Sequence, residues 1–303
     1  MRVKTQVAPP DSVSLTQPDD DTLHWSMCKL TTHTSYETLT IDQQNSLPFL
    51  YHPSPGKPTI VFVNALTGST DHWEQQVAPL CREAGLGTLS YNMRGQVNTK
   101  LASDVTPDCD LIVSDLSHLL NQIEPESPIL CGLSIGGLYA AKAALSGVPI
   151  KGLVLLNTLR EIGPRLKWLN EGMVHVLDTG GFSLLLDMYL PLLTSEDFHS
   201  NRRPDHLKGN GYEAEESTTG PYRLMKAATA TDWDINYESL TMPVLSISGL
   251  QDRVFFDRKV VERLGKRIPQ WQHLEWENAG HLLPLEVPEL LGKALIDFST
   301  AGD

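Results

Sequence analysis

Three residues in this sequence have the side chains that nucleophilic catalysis requires: Ser134, Asp252 and His281. A serine hydroxyl is a weak nucleophile at neutral pH and needs an imidazole that accepts its proton. The imidazole in turn needs a carboxylate, which holds the right tautomer and stabilises the imidazolium. A fold that brings these groups together can attack a carbonyl carbon, so the elements around each residue decide whether the chemistry is available.

Ser134 lies at the centre of a G-x-S-x-G pattern, with Gly132 and Gly136 two positions before and after it. An apolar run at 128–130 precedes the pattern, and an alanine-rich run at 138–145 follows it. We interpret the segment as a strand, a sharp turn and a helix. A nucleophile at such a turn has strained backbone angles, and glycine removes the collision that nearby side chains would cause. The pattern alone also fits a tight turn in another α/β protein.

Short apolar runs alternate with helical patterns along most of the chain, which predicts βαβ units and a mostly parallel sheet with right-handed crossovers. Residues 30–51 fit two antiparallel edge strands. The buried strands are predicted at 58–63, 87–91, 128–132, 151–157, 242–249 and 271–276. The core helices are predicted at 71–84, with a kink at Pro79, and at 111–123, 138–145, 257–267 and from Pro288 onward.

Ser134, Asp252 and His281 each follow the end of a predicted strand. In an open parallel sheet, ligands bind at the carboxyl ends of the strands, so all three residues are expected at one edge. Their order along the chain, Ser then Asp then His, is the order that this kind of sheet uses for a nucleophile triad. Asp252 could alternatively cap a helix or pair with Arg253, and His281 could be a solvated loop histidine.

The alternation stops between about residues 160 and 237. Helical apolar patterns cover 166–177 and 182–193, a polar stretch covers 195–219, and a last helix is predicted at 221–231. A long segment without strands interrupts a doubly wound sheet poorly, so we expect a helical insertion over the carboxyl edge of the sheet. Apolar side chains of this insertion are expected to line a pocket for the acyl part of a substrate.

Together these segments resemble the α/β-hydrolases that carry a helical cap. The matching pieces are 61–65, 91–95, 132–137, 248–252 and 278–281. The resemblance implies an α/β-hydrolase fold with Ser134 as nucleophile, His281 as general base and Asp252 as its orienting acid. It also implies an oxyanion hole made by the backbone N–H groups of Ile135 and Leu66.

Two loops depart from the pattern of that family. The loop after the first buried strand usually begins with His-Gly, whereas this chain has Asn64-Ala65. The arginine-glycine loop usually continues with a glycine two residues later, whereas Gln96-Val97-Asn98 follows Gly95 here. We expect a different local turn at this place and a less certain position for the donor from the Leu66 loop. Ala65 to Gly68 also resembles the homoserine acetyltransferases of the same fold, which keeps acyl transfer to another acceptor open.

Composition limits the partners. The chain has 303 residues, 41% of them hydrophobic, and a formal net charge of −13, which argues against nucleic acid or an anionic membrane as the main partner. No apolar run approaches the roughly 18 residues that a membrane span needs. The N-terminus lacks the apolar core of a signal peptide, and the cysteines form no C-x-x-C pair, so a cytoplasmic location is expected. The histidines show no compact ligand pattern, and neither a metal nor a cofactor is expected.

These observations predict a serine hydrolase that cleaves carboxylic esters or lactones through an acyl-enzyme. A serine at position 134 argues against dehalogenases and epoxide hydrolases, which use an aspartate there. Amides, thioesters and C–C bonds remain open as substrates, and an acyltransferase or a non-catalytic ligand-binding or sensor protein is the alternative. We expect a flexible arm at 1–22, a core domain at 23–159 and 238–303, a cap at 160–237, and a monomer or homodimer.

Overall fold

The computed structural model describes residues 36–207 and 210–301 of the chain. Within these residues the sheet has eight strands: β1 (Glu37–Thr40), β2 (Ser46–His52), β3 (Thr59–Val63), β4 (Gly87–Tyr91), β5 (Ile129–Leu133), β6 (Gly152–Leu156), β7 (Val244–Gly249) and β8 (Trp271–Trp276). Their spatial order is β1-β2-β4-β3-β5-β6-β7-β8. β1 and β2 pair antiparallel with their neighbours, whereas the pairs formed among β3 to β8 are parallel.

The helices of the described residues alternate with the parallel strands, except between β6 and β7, where several follow one another. They are α1 (Asp71–Glu74), α2 (Val77–Glu83), α3 (Cys109–Ile123), α4 (Ile135–Leu145), α5 (Pro164–Leu193), α6 (Glu196–His206), α7 (Gly220–Ala228), α8 (Arg258–Gly265), α9 (Leu283–Glu286) and α10 (Pro288–Thr300). This arrangement is the α/β-hydrolase fold expected from the sequence.

The strands β3 to β7 are buried on both faces, which is why most of them are continuous apolar runs in the sequence. Val61 and Val63 on β3 belong to one buried cluster, together with side chains of α3, α4 and α8. Ile60 and Phe62 on the same strand belong to a second cluster, with side chains of α2 and α10. Successive side chains of a strand point to opposite faces, so β3 contributes to both cores. The predicted parallel core is therefore confirmed.

The helix predicted at 71–84 is wrong in its detail. The chain forms two helices, α1 and α2, that separate at Gln76, where φ is −142° and ψ is −52°. Pro79 causes no kink because it is the third residue of α2. An amide in the first turn of a helix has no partner within the helix, so the N–H that proline lacks is not missed there.

The segment between β6 and β7 is helical, as expected, but its boundaries differ from the sequence patterns. α5 covers both predicted helices and leaves helical geometry at Gly181, where φ is 64° and ψ is −164°. A Cβ at Gly181 would lie 2.4 Å from the carbonyl oxygen of Glu213, so this turn requires glycine. α6 lies in the stretch predicted as merely polar, and the Ser195 side chain caps it by accepting the amide of Phe198 at 3.3 Å.

By length and composition alone, α5 could cross a membrane, and it is the one helix in the described part of the chain that passes this test. Core helices of other proteins pass the same test. The interruption at Gly181 and the cavity that α5 lines argue for a folded helix packed on the core. The absence of a membrane span thus stays a prediction, as do the domain boundaries, and the predicted arm at 1–22 lies outside the described residues.

Candidate active site

Ser134 lies in the sharp turn between β5 and α4, as the glycine pattern predicts. Its backbone has φ 57° and ψ −121°, in the region that L residues rarely adopt. The amide of Ser134 donates to the carbonyl oxygen of Leu156 at 2.8 Å, and its carbonyl oxygen accepts from the Thr158 hydroxyl at 3.0 Å. These bonds to the end of β6 hold the strained residue in place.

The glycines of this turn permit a close approach of backbone segments. A Cβ at Gly132 would lie 2.4 Å from the backbone of Gly136, and a Cβ at Gly136 would lie 2.3 Å from the carbonyl oxygen of Asn64. Both distances are far below normal contact, so neither position tolerates a side chain without backbone movement. The turn is thereby packed against the end of β3, where the Leu66 loop begins.

Asp252 and His281 form a hydrogen-bonded pair on the loops after β7 and β8. Asp252 Oδ2 accepts from His281 Nδ1 at 2.7 Å, and Asp252 Oδ1 accepts from the amide of Phe255 at 2.9 Å. Both side chains are buried. Burial raises the pKa of Asp252, but the charge of His281 and the hydrogen bonds to the carboxylate outweigh it and leave that pKa below its ordinary value. Asp252 is therefore a carboxylate at neutral pH. Because it binds Nδ1 of His281, the second ring nitrogen, Nε2, points away from Asp252.

The His281 loop is fixed by a carboxylate that the sequence analysis did not identify. Glu286 accepts the amide of Gly280 at 2.9 Å through Oε2 and the amide of Leu282 at 2.8 Å through Oε1. The amide of His281 donates to the carbonyl oxygen of Leu193 at 2.6 Å, which joins this loop to the end of α5. The backbone on both sides of His281 is thus held by hydrogen bonds.

Asn157 connects the ends of β6, β7 and β8. Its Nδ2 donates to the carbonyl oxygens of Gly280 and His281, each at 3.0 Å. Its Oδ1 accepts from the amide of Gly249 at 2.8 Å. Asn157 itself has a φ of 48°, a backbone conformation that asparagine adopts more readily than most residues. This side chain holds the loops of Asp252 and His281 at a fixed separation from the Ser134 turn.

Ser134 and His281 open onto one cavity of about 130 Å³. Within the described residues their side chains share no hydrogen bond, and Ser134 Oγ accepts from Nη2 of Arg160 at 3.1 Å. Catalytic hydrogen bonds often tighten only when a substrate is present. The structure therefore brings Ser134, Asp252 and His281 to one edge of the sheet, with Asp252 and His281 in direct contact.

Ile135 and Leu66, whose amides are the expected oxyanion donors, both line the same cavity. Ile135 is the first residue of α4, so its amide has no partner within the helix. In the part of the chain that the structure describes, neither amide donates to another protein group. Both amides are therefore free of protein partners among the described residues, and their role as oxyanion donors stays a prediction.

Asn64 and Gln96 lie in the two loops that depart from the family pattern. Hydrogen bonds join their side chains beneath the loop that contains Leu66. Gln96 Nε2 donates to the carbonyl oxygens of Ala65 at 2.7 Å and Leu66 at 3.2 Å. Asn64 Nδ2 donates to Gln96 Oε1 at 2.9 Å, and Asn64 Oδ1 accepts from the indole N–H of Trp73 at 2.7 Å. Gln96, which follows the arginine-glycine pair, thus holds the Leu66 loop by its carbonyl groups.

The walls of the cavity are mainly apolar and come from the helices between β6 and β7 and from neighbouring loops. They include Met173, Leu185, Tyr189, Met225, Trp233 and Phe255. An apolar enclosure of this kind suits the hydrocarbon part of a substrate and excludes water from the polar groups near Ser134. Among residues 36–207 and 210–301, no group of histidine, cysteine and acidic side chains could hold a metal ion.

Arg160 is the cavity residue that the sequence analysis missed. Only 4% of it is exposed, and its guanidinium carbon lies over the rings of Trp233 and Phe255, 4.5 and 4.2 Å from their centroids. Burial lowers the pKa of Arg160 to about 10, against the attraction of Asp252, so the group is a cation at neutral pH. Its position in the loop after β6 could have indicated it as a site residue, because that strand also ends at the edge of the sheet where the site forms.

Comparisons with known proteins agree with this architecture. A family model described as "Alpha/beta hydrolase family" matches residues 60–294. A relative named 3-oxoadipate enol-lactonase 1, from Acinetobacter baylyi, is 24% identical, and the match covers 77% of this chain and 85% of that protein.

Solved structures show the same fold. A thermophilic esterase from Thermogutta terrifontis superimposes with a TM-score of 0.71 at 20% identity, covering 87% of this chain and 97% of the other. A bromoperoxidase from Bacillus anthracis superimposes with a TM-score of 0.72 at 20% identity, covering 87% and 99%. Because identities at this level go with different activities, these likenesses establish the architecture and leave the reaction to the site itself.

Proposed function

Because the chain belongs to the alpha/beta hydrolase family, we propose that it is an enzyme that hydrolyses carboxylic esters or lactones through Ser134, His281 and Asp252. One observation carries the proposal. Ser134 and His281 line one cavity, and Oδ2 of Asp252 accepts a hydrogen bond of 2.7 Å from Nδ1 of His281. This is the relation that a serine nucleophile needs with its base and with the group that orients the base.

In the proposed reaction, Ser134 Oγ first turns from Arg160 toward Nε2 of His281. His281 takes the hydroxyl proton as Oγ attacks the carbonyl carbon of the ester. The C–O double bond becomes a single bond to an oxyanion, which accepts hydrogen bonds from the amides of Ile135 and Leu66. Asp252 stabilises the imidazolium that forms.

Collapse of this intermediate breaks the bond to the leaving alcohol, which takes the proton from His281. A water molecule then gives a proton to His281 and attacks the acyl-enzyme, and the second intermediate releases the acid and restores the Ser134 hydroxyl. In a lactone the leaving alcohol stays attached to the acyl group, so one hydroxy acid is released. The name of the relative from Acinetobacter baylyi, an enol-lactonase, supports lactones as a substrate class.

A fluorophosphonate probe tests the proposal, because it reacts with an activated serine. Intact mass should show a single adduct on the wild type and on Ser103→Ala, a control whose side chain is exposed. Ser134→Ala should give no adduct, and its kcat for simple esters should fall by at least about 10³-fold. Full turnover by Ser134→Ala would contradict the proposal.

The two alternative functions predict different results with the same purified protein. A wild-type protein that binds esters tightly but neither hydrolyses them nor reacts with the probe would be a binding or sensor protein. A protein that forms the adduct but transfers acyl groups to an added alcohol in preference to water would be an acyltransferase. Product analysis with and without the alcohol separates the two enzymes.

We also propose a cytoplasmic location and a monomer or homodimer. Cys81, Cys109 and Cys131 are free thiols, which suits a reducing compartment. Burial raises the pKa of Cys81 to about 12, so this thiol stays protonated and unreactive at neutral pH. Light scattering on the purified protein gives the oligomeric state, and a mass above that of a dimer would contradict the proposal.

A further inference from the structure

Arg160 has no acidic partner in the part of the chain that the structure describes. Its Nη2 donates to the carbonyl oxygen of Asn157 at 2.5 Å and to Ser134 Oγ at 3.1 Å. Its Nε makes a longer bond of 3.4 Å to the carbonyl oxygen of Thr158. All of these acceptors are neutral, and within the described residues Nη1 has no acceptor. Among the described residues, no carboxylate therefore lies within hydrogen-bond or ion-pair distance of this buried guanidinium, although the nearby carboxylate of Asp252 attracts its charge.

A buried charge is costly unless it is paired, so an unpaired cation in an apolar cavity calls for a reason. The rings of Trp233 and Phe255 stabilise the charge in part through cation–π contacts. The N–H donors of a guanidinium point outward in its plane, so a partner that accepts hydrogen bonds binds at the edge of the group. A planar fork of donors matches a carboxylate, which binds such an edge through two hydrogen bonds.

The position of this edge relates it to the reaction. A carbonyl carbon in position for attack lies about 3 to 3.5 Å from Ser134 Oγ, and Arg160 Nη2 is 3.1 Å from the same oxygen. A carboxylate that binds Arg160 is thus separated from the reacting carbonyl by a short spacer. When the carboxylate accepts the N–H groups of Arg160, Ser134 Oγ loses its hydrogen bond from Nη2 and is free to turn toward His281.

We propose that the preferred substrates are esters or lactones that carry a carboxylate a short spacer away from the scissile carbonyl, and that Arg160 binds this carboxylate. The inference rests on the proposed hydrolase function of the same site. Arg160 is the one lysine or arginine among the residues that line the cavity. A single cation matches a monoanionic carboxylate better than a doubly charged phosphate, which usually gathers several donors.

A matched pair of esters tests the inference. Monomethyl glutarate carries the carboxylate, and methyl 4-nitrobutanoate has an uncharged nitro group of similar shape in its place. The wild type should show a higher kcat/KM for the glutarate ester. In Arg160→Gln the ratio of the two kcat/KM values should fall about 10- to 100-fold, the effect expected for hydrogen bonds to a charged group. Arg160→Lys should keep part of the preference, because the charge remains.

The ratio reports what Arg160 contributes through the substrate carboxylate, because any effect of the substitution that both esters share cancels in it. Hydrolysis of both esters with the same ratio in wild type and Arg160→Gln would overturn this inference and leave the hydrolase proposal intact. The absence of hydrolysis for both esters together with the absence of a fluorophosphonate adduct would overturn the hydrolase proposal itself.

Inhibition of the wild-type protein gives a second test that does not depend on the folding of a variant. Glutarate should inhibit hydrolysis of methyl 4-nitrobutanoate competitively, whereas its uncharged diamide, glutaramide, should inhibit at least about 10-fold more weakly. Equal inhibition by the two compounds, or none by either, would count against a carboxylate site at Arg160.

Discussion

The side-chain amide of Asn157 donates a hydrogen bond of 3.0 Å to the carbonyl oxygen of His281, 124 positions further along the chain. The same side chain accepts the amide of Gly249 at 2.8 Å. A residue at the end of one strand therefore fixes the distance between the ends of two others. Because proton transfer between Ser134 and His281 needs a defined separation, we regard Asn157 as a positioning residue.

Replacement of Asn157 should reduce both stability and activity. Asn157→Gly removes the side-chain bonds but tolerates the φ of 48°, so the free energy of unfolding should fall by about 1 to 3 kcal/mol. Asn157→Ala adds a strained backbone and should lose about 1 to 2 kcal/mol more. Urea unfolding measures both values, and Asn121→Ala, at an exposed position of α3, is the control. Equal stability of the glycine variant and the wild type would contradict the positioning role.

Gln96 should affect kcat more than KM. Its Nε2 holds the carbonyl oxygens of Ala65 and Leu66, so the amide of Leu66 depends on it for orientation. Gln96→Glu keeps a similar shape and loses this donor, and kcat for an uncharged ester should fall about 10- to 100-fold because oxyanion donors act chiefly in the transition state. Steady-state kinetics check the split between kcat and KM.

Two controls accompany the Gln96 variant. Gln122→Ala changes an exposed glutamine of α3 and should leave kcat as it is. Gln96→Ala removes the acceptor for Asn64 as well, and should lower stability in addition to kcat. A folded Gln96→Glu protein with a raised KM and an unchanged kcat would assign Gln96 to substrate binding and contradict its role in the oxyanion loop.

The sequence predicts those site residues that are marked by a pattern in the neighbouring residues of the chain. Ser134 is marked by neighbouring glycines, and Asp252 and His281 by their places after strands, so their common edge follows from the parallel sheet. Gln96 and Asn157 act through partners that lie far along the chain, and no local pattern reports such a contact. Arg160 is intermediate, because its place after β6 puts it at the same edge, but its function depends on rings that only the folded chain brings to it.

The boundaries of helices are predicted less well than the strands for a physical reason. A strand buried on both faces leaves a continuous apolar run, whereas a helix end depends on caps and on what it packs against. α6 is polar over most of its length and shows no apolar stripe, so the sequence did not reveal it. Pro79 illustrates the converse case, since a residue that breaks a helix interior is harmless in its first turn.

The pKa of Asp252 predicts how stability depends on pH. Because its folded-state pKa lies below the ordinary value, its carboxylate contributes stability that is present above the unfolded pKa of about 3.9 and is lost as the pH falls through the folded-state pKa. Asp252→Asn should therefore be less stable than the wild type from pH 5 to 8, and the difference should shrink below about pH 4.

Urea unfolding at pH 7, 5 and 3.5 measures this difference directly. Asp104→Asn, at an exposed position, is the control and should follow the wild type at each pH. A difference between Asp252→Asn and the wild type that stays constant down to pH 3.5 would show that the ionised carboxylate is not the source of the stability. A difference that grows on acidification would give the opposite sign of the shift and contradict the geometry.

The charge state of Arg160 sets the pH range over which the proposed carboxylate preference persists. Burial lowers the pKa of Arg160 to about 10, so the preference of the wild type for monomethyl glutarate over methyl 4-nitrobutanoate should be constant from pH 6 to about 9 and decline above that. Lysine begins from a lower pKa, and the same burial lowers it further, so Arg160→Lys should lose its preference at a lower pH than the wild type.

The ratio of the two kcat/KM values is the right measure, because any pH dependence that both esters share cancels in it. A wild-type ratio that declines between pH 6 and 8, or superimposable profiles for wild type and Arg160→Lys, would show that another group carries the preference.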